Sequence, residues 1–311
     1  MAKSSKTPNA LDLNLPATSA NLGPAFDAAA LALDLSLKLR ARVGKDFSIS
    51  ARGRNADICE KLENNLILAT YREVLQAEAK TVQPLVLRIE NQIPIGKGCG
   101  SSAAARLAGI GLAVHFGKLG WNDDRIVGEA SRREHHPDNA AACWMGGLAV
   151  ARMSSETEAQ VASFTSKAKW PLLLALPEEA LSTEKARAVL PEKYNRADAV
   201  LNIQNAMLLL AAFVQRRPEL LASALEDRIH QPYRAALCPL LPALQNFPKD
   251  SGVLGTVLSG AGPSVLIFLD PKANASRVRT KVGEYLRTQR LSAELILTKI
   301  RDVGTIRKDR G

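Results

Sequence analysis

Aromatic residues are scarce in this chain and make up only 5% of its 311 residues. Nowhere do they alternate with basic residues, as they do on surfaces that stack the bases of nucleic acids. The net charge of +10 is spread along the chain, with only short basic pairs such as Arg132-Arg133 and Arg216-Arg217. These features favour a generally basic, solvated surface, and we expect no nucleic-acid partner.

Cysteine is also scarce, and none of the four cysteines stands at C-x-x-C spacing, which excludes the common zinc and redox motifs. A reduced, cytoplasmic setting fits this pattern. The N-terminal residues contain no apolar segment of the kind that a secretory signal needs. The longest apolar run, residues 206–214, is far too short to span a bilayer, so we expect no membrane partner.

Hydrophobic residues make up 46% of the chain and charged residues 23%, a composition typical of globular proteins with a substantial core. Predicted strands and helices intermix without a regular βαβ repeat, which favours the α+β class. A polar stretch at residues 153–168 suggests a boundary between two domains, residues 1–160 and 161–311. The same stretch could instead be a strand connection inside a single domain.

Hydrophobic periodicity predicts the positions of most elements. Residues 16–27 are rich in turn formers and are predicted to form a loop. We expect the strand at 47–51 to pair with the strand at 35–43. Predicted strands cover residues 11–15, 35–43, 47–51, 85–89, 148–151, 171–176, 253–258, 264–269 and 293–300. Predicted helices cover residues 64–75, 104–116, 123–133, 197–215, 219–229 and 273–288.

The most informative segment is a glycine-rich turn between the strand at 85–89 and the helix at 104–116, with glycine at positions 96, 98 and 100. Ser101 or Ser102 is predicted to cap the helix. Free N–H groups and the positive end of the helix dipole then point at the loop and make an anion site. The spacing matches neither a Walker loop nor a Rossmann fingerprint. A tight strand-to-helix turn without a ligand is the alternative interpretation.

Three segments carry a family resemblance when they are taken together in chain order. They are residues 16–24 (PATSANLGP), residues 94–104 (PIGKGCGSSAA) and residues 258–264 (LSGAGPS). In combination they resemble the GHMP kinases, a family of small-molecule kinases that includes galactokinase and mevalonate kinase. Residues 134–139 (EHHPDN) and 230–234 (HQPYR) are most similar to the branch of the family whose acceptor is L-homoserine.

The resemblance implies a GHMP kinase fold, with an N-terminal domain like domain 2 of ribosomal protein S5 and a ferredoxin-like C-terminal domain. It also implies ATP and Mg²⁺ in a cleft between the domains. The implied reaction is transfer of the γ-phosphate to the side-chain hydroxyl of L-homoserine, a step of threonine biosynthesis. The alternatives are another small alcohol as acceptor, such as threonine or a mevalonate-type acid, and a non-catalytic binder with the same fold. We also consider a homodimer.

By the same resemblance, the glycine loop wraps the phosphates of ATP with backbone N–H groups. Lys97 is equally well explained as a solvated loop charge. Mg²⁺ prefers hard oxygen ligands, so we expect Ser101 or Ser102 to hold it together with Glu134. The predicted ATP-binding residues are Asn65, Pro94, Gly96, Lys97, Gly98, Cys99, Gly100, Ser101, Ser102 and Ala103.

The acceptor site is carried over from the family residue by residue. Asp27 is assigned to the substrate ammonium, and Arg234 to the substrate carboxylate, because a guanidinium matches a carboxylate in bidentate fashion. Asn21 and Asp27 could instead be turn residues that bond their own backbone, and Asp138 a helix cap. The predicted catalytic residues are Asn21, Asp138 and Asn139, and the predicted acceptor-binding residues are Asn21, Asp27, His136, Asp138, Arg234 and Gly260.

One departure from the family pattern concerns the carboxylate site. The family has a second arginine on a helix after the domain crossover, and we match that position to Asn205, which carries no charge. Either Arg234 binds the carboxylate alone or the acceptor differs. We find no lysine partner for Asp138, so we expect direct phosphoryl transfer without a strong protein base.

Overall fold

The chain folds into two β-sheets, each covered by helices. The computed structural model describes residues 10–165, 170–248 and 251–310. The strands are β1 (Ala10–Asn21), β2 (Ala25–Val43), β3 (Ser48–Gly53), β4 (Leu85–Asn91), β5 (Leu148–Met153), β6 (Ala159–Phe164), β7 (Pro171–Leu176), β8 (Val253–Leu258), β9 (Val265–Leu269), β10 (Glu294–Lys299) and β11 (Ile306–Arg310). The helices are α1 (Ala56–Cys59), α2 (Leu66–Ala77), α3 (Ser101–Phe116), α4 (Asp123–Glu134), α5 (Asp138–Met145), α6 (Thr183–Ala188), α7 (Arg196–Gln215), α8 (Leu221–Ala224), α9 (Gln231–Arg234), α10 (Leu240–Gln245) and α11 (Ala275–Thr288).

The first sheet has seven strands, in the order β11-β1-β2-β4-β3, with β5 paired to β2 and β6 paired to β5. Strands β1 and β2 form a long antiparallel hairpin. Strand β3 runs parallel to β4, so the expectation that the 47–51 strand pairs with the 35–43 strand is wrong. Parallel neighbours need a crossover connection, which α1 and α2 supply here.

The core of this half lies between the sheet and helices α2 to α5. Over residues 10–15 of β1, alternate residues are buried, because successive side chains of a strand point to opposite faces. From Pro16 to Asn21 every residue is buried. Leu13 and Leu15 on that inner face belong to one apolar cluster with Leu68 of α2 and Leu107 of α3. Each of these side chains is at most 2% exposed. This packing fixes α3, and therefore the glycine loop that precedes it, on the sheet.

The second sheet has four strands in the order β10-β7-β9-β8 and packs against α10 and α11. The chain leaves the first sheet after β6 and begins the second at β7. The expected boundary at residue 160 lies inside β6, and β11 returns from the C-terminal end to pair with β1. The division into domains 1–160 and 161–311 stays a prediction.

Two expected elements differ in the structure. Residues 16–21 are the end of β1, which continues past a register shift at Pro16, so only residues 22–24 form the turn. The helix expected at 219–229 ends at Ala224. It stops because the carboxylate of Asp227 accepts hydrogen bonds from the N–H groups of Ile229, His230 and Gln231, which builds a turn instead.

Helix α7 is long and apolar enough to cross a membrane by length and composition alone. One face of this helix nevertheless packs into the protein, where Phe213 contacts Trp170 and Phe268. On the same side, the amides of Asn202 and Asn205 donate to backbone carbonyls. A single helix of this kind is weak evidence for a membrane span, because core helices of globular proteins share its composition.

Candidate active site

The three motif segments meet at one place, although more than 150 residues separate the first two from the third. The N–H of Thr18, at the end of β1, donates to the carbonyl of Cys99 in the glycine loop (3.1 Å). The hydroxyl of Ser259 donates to the carbonyl of Gly98 (2.8 Å). The N–H of Gly260 donates to the carbonyl of Ala20 (3.1 Å). Backbone hydrogen bonding therefore assembles the site from both halves of the chain.

The glycine loop needs glycine for two reasons. Gly98 and Gly100 have φ angles of +73° and +69°, which L side chains rarely adopt. A Cβ on Gly98 would stand 2.1 Å from the carbonyl oxygen of Ser259, and one on Gly100 would stand 1.9 Å from Oγ1 of Thr18. The loop is thus closely packed by the protein itself as well as suited to a phosphate.

Helix α3 begins directly after the loop, with Gly100 as its N-cap residue. No side chain caps the first turn, so the expectation that Ser101 or Ser102 caps the helix is wrong. The first N–H groups of α3 are therefore not capped by a side chain. They lie at the positive end of the helix dipole and can donate to a ligand. This arrangement is suited to an anion such as a phosphate group.

A cavity of about 390 Å³ opens beside the loop and is lined by residues of both halves of the chain. One part of its lining is apolar and includes Ile58, Leu66, Ile67 and Ile93. Another part is polar and includes the side chains expected to bind the acceptor. Such a cavity can hold an apolar-faced group and an ionic group side by side, with the glycine loop between them.

The predicted ATP-binding residues divide into two groups in the structure. Asn65 lines the cavity, but its amide also caps α2 and donates to the carbonyls of Cys59 and Lys61. Burial raises the pKa of the Cys99 thiol to about 12, so this thiol stays protonated and unreactive at neutral pH. Of the predicted ATP-binding residues, Pro94, Lys97 and Ala103 do not line the cavity. The predicted residues that do line it are Asn65, Gly96, Gly98, Cys99, Gly100, Ser101 and Ser102.

The residues expected to hold magnesium are adjacent. The hydroxyl of Ser102 donates to Oε1 of Glu134 (2.6 Å) at the end of α4, and both residues line the cavity. Arg106, one helical turn after Ser102, forms an ion pair with the same carboxylate oxygen (2.5 Å). Ser101 has no such contact with Glu134 among the described residues. A hydroxyl and a carboxylate side by side are the hard oxygen donors that Mg²⁺ prefers.

At the acceptor end, Asn21 is the last residue of β1 and has a φ of +70°. Its amide donates to the carbonyl of Gly260 (2.8 Å), and its side-chain oxygen accepts from the N–H of Asp27 (2.9 Å). The alternative interpretation as turn residues therefore holds for the side chain of Asn21, which bonds nearby backbone, but not for Asp27, whose carboxylate pairs with Arg187. Asn21, Asp27 and Gly260 also line the cavity, so both roles fit the same geometry.

His136 and Asp138 form a hydrogen-bonded pair beside Asp27. Nδ1 of His136 lies 2.6 Å from Oδ1 of Asp138, which is 1% exposed. Burial disfavours the imidazolium, but the hydrogen bond and charge of Asp138 outweigh burial and raise the pKa of His136. Asn139 accepts a hydrogen bond from the hydroxyl of Thr18 (2.5 Å), which joins α5 to β1 at the cavity wall.

Two arginines face the same end of the cavity. The guanidinium of Arg187, on α6, pairs with both carboxylate oxygens of Asp27 (2.7 and 2.9 Å). Arg234, on α9, is 1% exposed and donates to the carbonyl of Ala186 and to Nδ1 of His230. Both guanidinium carbons lie within 5.4 Å of the centroid of the Phe26 ring. This end of the cavity thus has two guanidinium groups next to the carboxylates of Asp27 and Asp138.

Asn205, which we matched to the second family arginine, lies outside the cavity. The amide of Asn205 donates to the carbonyl of Glu226 (3.0 Å). Arg187 lines the cavity together with Arg234. Sequence reasoning missed Arg187, Arg106 and Thr18, because each is brought to the site by contacts with residues 28 or more positions away. Arg187 and Arg106 lie outside the three motifs, and Thr18 lies within the first motif but was given no role of its own.

Comparison with known proteins identifies the family of the chain. The family model for the N-terminal domain of GHMP kinases matches residues 65–147, and the model for the C-terminal domain matches residues 209–288. A curated homoserine kinase of Solibacter usitatus is 44% identical, and the match covers 83% of this chain and 84% of the relative. A homoserine kinase of Synechococcus sp. is 34% identical, with 94% and 95% covered. The chain belongs to the GHMP kinase family, in its homoserine kinase group.

The solved structures show the same fold. The crystal structure of a homoserine kinase from Cytophaga hutchinsonii superimposes with a TM-score of 0.81, covering 99% of both chains at 21% identity. The expected α+β GHMP kinase fold is confirmed, and so is the resemblance to the homoserine kinases. The protein is therefore a kinase that uses ATP and phosphorylates an alcohol group.

Proposed function

We propose that the protein transfers the γ-phosphate of ATP to the side-chain hydroxyl of L-homoserine, a reaction of threonine biosynthesis. The observation that carries this proposal is the mixture of charges at the acceptor end of the cavity. Asp27 and Asp138 are negative, Arg187 and Arg234 are positive, and all four line the cavity next to the glycine loop. An α-amino acid needs both signs, because it presents an ammonium and a carboxylate on one carbon.

The two charges of the substrate have matching partners in this arrangement. Arg234 and Arg187 are suited to the carboxylate, because guanidinium groups bind carboxylates through charge-assisted hydrogen bonds. Asp27 is suited to the ammonium, which would replace the guanidinium of Arg187 as its ionic partner. Releasing Arg187 from Asp27 would in turn free its donors for the carboxylate. A single amino acid would thus give a partner of opposite charge both to Asp27 and to Arg187, which now pair with each other.

Mg²⁺ fits the donor set at the end of α4. Ser102 and Glu134 would hold the ion, which supplies charge neutralisation for the phosphates when it is bound. Arg106 already forms an ion pair with Glu134 and holds this carboxylate beside the hydroxyl of Ser102. The first turn of α3 provides N–H donors for the phosphate oxygens.

No strong protein base is required for this reaction. Oδ1 of Asp138 already accepts hydrogen bonds from the backbone and side chain of Asn139, and it is paired with His136. Among the described residues that line the cavity, there is no lysine that could pair with Asp138. We infer that Asn21, Asp138 and Asn139 act by orienting the acceptor hydroxyl toward the γ-phosphate. Positioning and charge neutralisation account for most of the catalysis of such transfers.

A coupled assay of ADP release tests the proposal. We expect turnover with L-homoserine and little turnover with threonine, mevalonate or galactose at the same concentration. Mevalonate has a carboxylate but no ammonium, so it offers Asp27 no cation in exchange for the guanidinium of Arg187. A preference for mevalonate or galactose over homoserine would overturn the assignment of the acceptor. Labelled ATP bound with and without Mg²⁺ tests the metal assignment in the same preparation.

For the quaternary structure, we propose a cytoplasmic homodimer. Helix α7 exposes the apolar side chains of Val200, Ile203, Met207 and Val214, each 47–63% exposed, along one side. An antiparallel pairing of two copies about Met207 would place Val200 of one copy on Val214 of the other. Sedimentation of the wild-type protein and of Met207→Glu tests this, and a wild-type monomer contradicts it.

A further inference from the structure

The segment of residues 177–188, here named the bridging segment, lies between the glycine loop and the acceptor end of the cavity. At its first end, Nζ of Lys97 donates to the carbonyls of Pro177 (3.0 Å) and Glu178. A few residues on, the N–H of Leu181 lies 3.4 Å from the carbonyl of Gly96. Two consecutive residues of the glycine loop are thus bonded to the bridging segment.

The other end of the bridging segment carries the acceptor contacts. The N-cap of α6 is Ser182, whose hydroxyl accepts from the N–H of Lys185 (3.2 Å). One turn later Arg187 pairs with Asp27, and the carbonyl of Ala186 accepts from Nε of Arg234 (2.9 Å). A displacement of α6 would therefore move Arg187 and loosen Arg234 at the same time.

The geometry of Lys97 argues against a direct phosphate contact. Its neighbours Gly96 and Gly98 line the cavity, but Lys97 does not. Two of the three donors on its ammonium are used by backbone carbonyls. Burial, only partly offset by the charges of Glu178 and Glu179, lowers the pKa of Lys97. The ammonium of Lys97 therefore connects the glycine loop to the bridging segment through these two hydrogen bonds.

We propose that Lys97 is a positioning residue that couples nucleotide binding to acceptor binding through the bridging segment. When a nucleotide orders the glycine loop, Lys97 and the Leu181–Gly96 hydrogen bond hold residues 177–181 in place. This fixes α6, so that Arg187 and Arg234 are already placed for the substrate carboxylate. The reciprocal effect follows from linkage, because each ligand must strengthen the other by the same factor. This inference rests on the proposed homoserine acceptor.

Calorimetric titration of L-homoserine, with and without a non-hydrolysable ATP analogue and Mg²⁺, measures the coupling. We expect the analogue to tighten homoserine binding to the wild-type protein by roughly tenfold, within the usual range of coupling factors. Lys97→Met, which keeps the length of the side chain, should reduce this factor to about one. Affinity for the analogue alone should change by less than about threefold. Lys97→Arg retains a cationic donor and should recover part of the factor.

Lys281→Met is the matched control, because Lys281 is exposed on α11 and does not line the cavity. We expect it to keep the wild-type factor. Hydrogen exchange gives a second readout: Lys97→Met should raise the exchange of amides in residues 177–188 while those of α3 stay protected. A wild-type factor of one, or an unchanged factor in Lys97→Met, overturns the proposal.

A loss of tenfold or more in affinity for the analogue alone also overturns it, because that result assigns Lys97 to the phosphates. Failure of the proposed function has a different signature. In that case homoserine does not bind the wild-type protein at all, whether or not the analogue is present.

Discussion

At the scale of single residues, His230 shows how burial decides a protonation state. Nε2 lies 2.8 Å from the carbonyl of Gly23, which can only accept, so Nε2 carries the proton. Nδ1 then accepts from the guanidinium of Arg234 (3.1 Å). The ring also stacks on Phe26, with 5.2 Å between the ring centroids. Neutral His230 thus orients the guanidinium of Arg234 at the acceptor site by accepting its hydrogen bond.

This environment predicts a pH dependence of stability. Burial and the charge of Arg234 lower the pKa of His230 from 6.5 to about 4, despite the opposing charge of Asp227. Between these two values the unfolded chain binds more protons than the folded protein, so stability falls as the pH drops from 6.5 to 4. The difference of pKa corresponds to a loss on the order of 3 kcal/mol.

Denaturant unfolding of the wild type and His230→Gln at several pH values checks this expectation. The variant should be less stable at pH 7, but it should lose less stability than the wild type on acidification. The pKa of His136 is raised, so this residue affects stability in the opposite sense. Its contribution to the free energy of unfolding is lost as the pH rises through its pKa in the folded protein. His136 is present in both proteins, so parallel stability curves would contradict the assignment to His230.

Arg187 received no role from the sequence, yet the structure places it at the acceptor end of the cavity. We expect Arg187→Ala to weaken homoserine binding by about ten- to a hundredfold, since a hydrogen bond to a charged group contributes about 1.5–3 kcal/mol. Affinity for ATP should barely change. Arg187→Lys should recover only part of the loss, because an ammonium lacks the planar fork. Calorimetry measures both affinities.

Asn205→Ala is the control for that experiment. It leaves the carbonyl of Glu226 without its donor and should lower stability, yet homoserine affinity should stay unchanged because Asn205 is outside the cavity. If Asn205→Ala weakened homoserine binding as much as Arg187→Ala, the assignment of the second cation to Arg187 would be wrong.

At the scale of elements, the glycine loop and α3 form a unit that the rest of the protein holds from both sides. The positive φ angles alone make side chains at positions 98 and 100 costly, by about 1–3 kcal/mol each. The close approach of Thr18 and Ser259 adds to this cost. The loop is therefore as much a packing feature as a ligand site.

We expect Gly98→Ala and Gly100→Ala to lower the midpoint of thermal unfolding and to abolish measurable ATP binding. Gly120→Ala is the matched control, because a Cβ at Gly120 meets no atom within 4 Å. Differential scanning calorimetry and nucleotide titration measure the two effects. Wild-type stability in Gly100→Ala would show that the contact with Thr18 is easily relieved.

At the scale of the whole molecule, the two sheets share an apolar core, to which Leu33 of β2 and Leu174 of β7 both belong. Exposed ion pairs also join the two sheets outside the site. The clearest is the bidentate pair between Arg54, which follows β3, and Glu294, which begins β10 (2.6 and 2.8 Å). These side chains are 34% and 49% exposed, so solvent screens their attraction. The pair can fix an orientation without contributing much to stability.

A double-mutant cycle on Arg54→Ala and Glu294→Ala should give a coupling energy of at most about 1 kcal/mol, as is usual for exposed ion pairs. The coupling should decrease at high salt concentration. The affinity for ATP should be unchanged in all three variants, because neither side chain lines the cavity. A coupling energy of several kcal/mol would contradict the expected screening of this exposed pair.

The sequence by itself determined the family, the phosphate loop and most of the helices and strands. These rest on local signals: glycine spacing, capping residues and hydrophobic periodicity, all within about a dozen neighbouring positions. The tertiary structure decided which residues complete the site. Arg187 reaches Asp27 across 160 positions, Lys97 turns to the bridging segment 80 positions away, and Glu134 selects Ser102 over Ser101. Such contacts depend on how packed elements approach one another, and no local pattern encodes that approach.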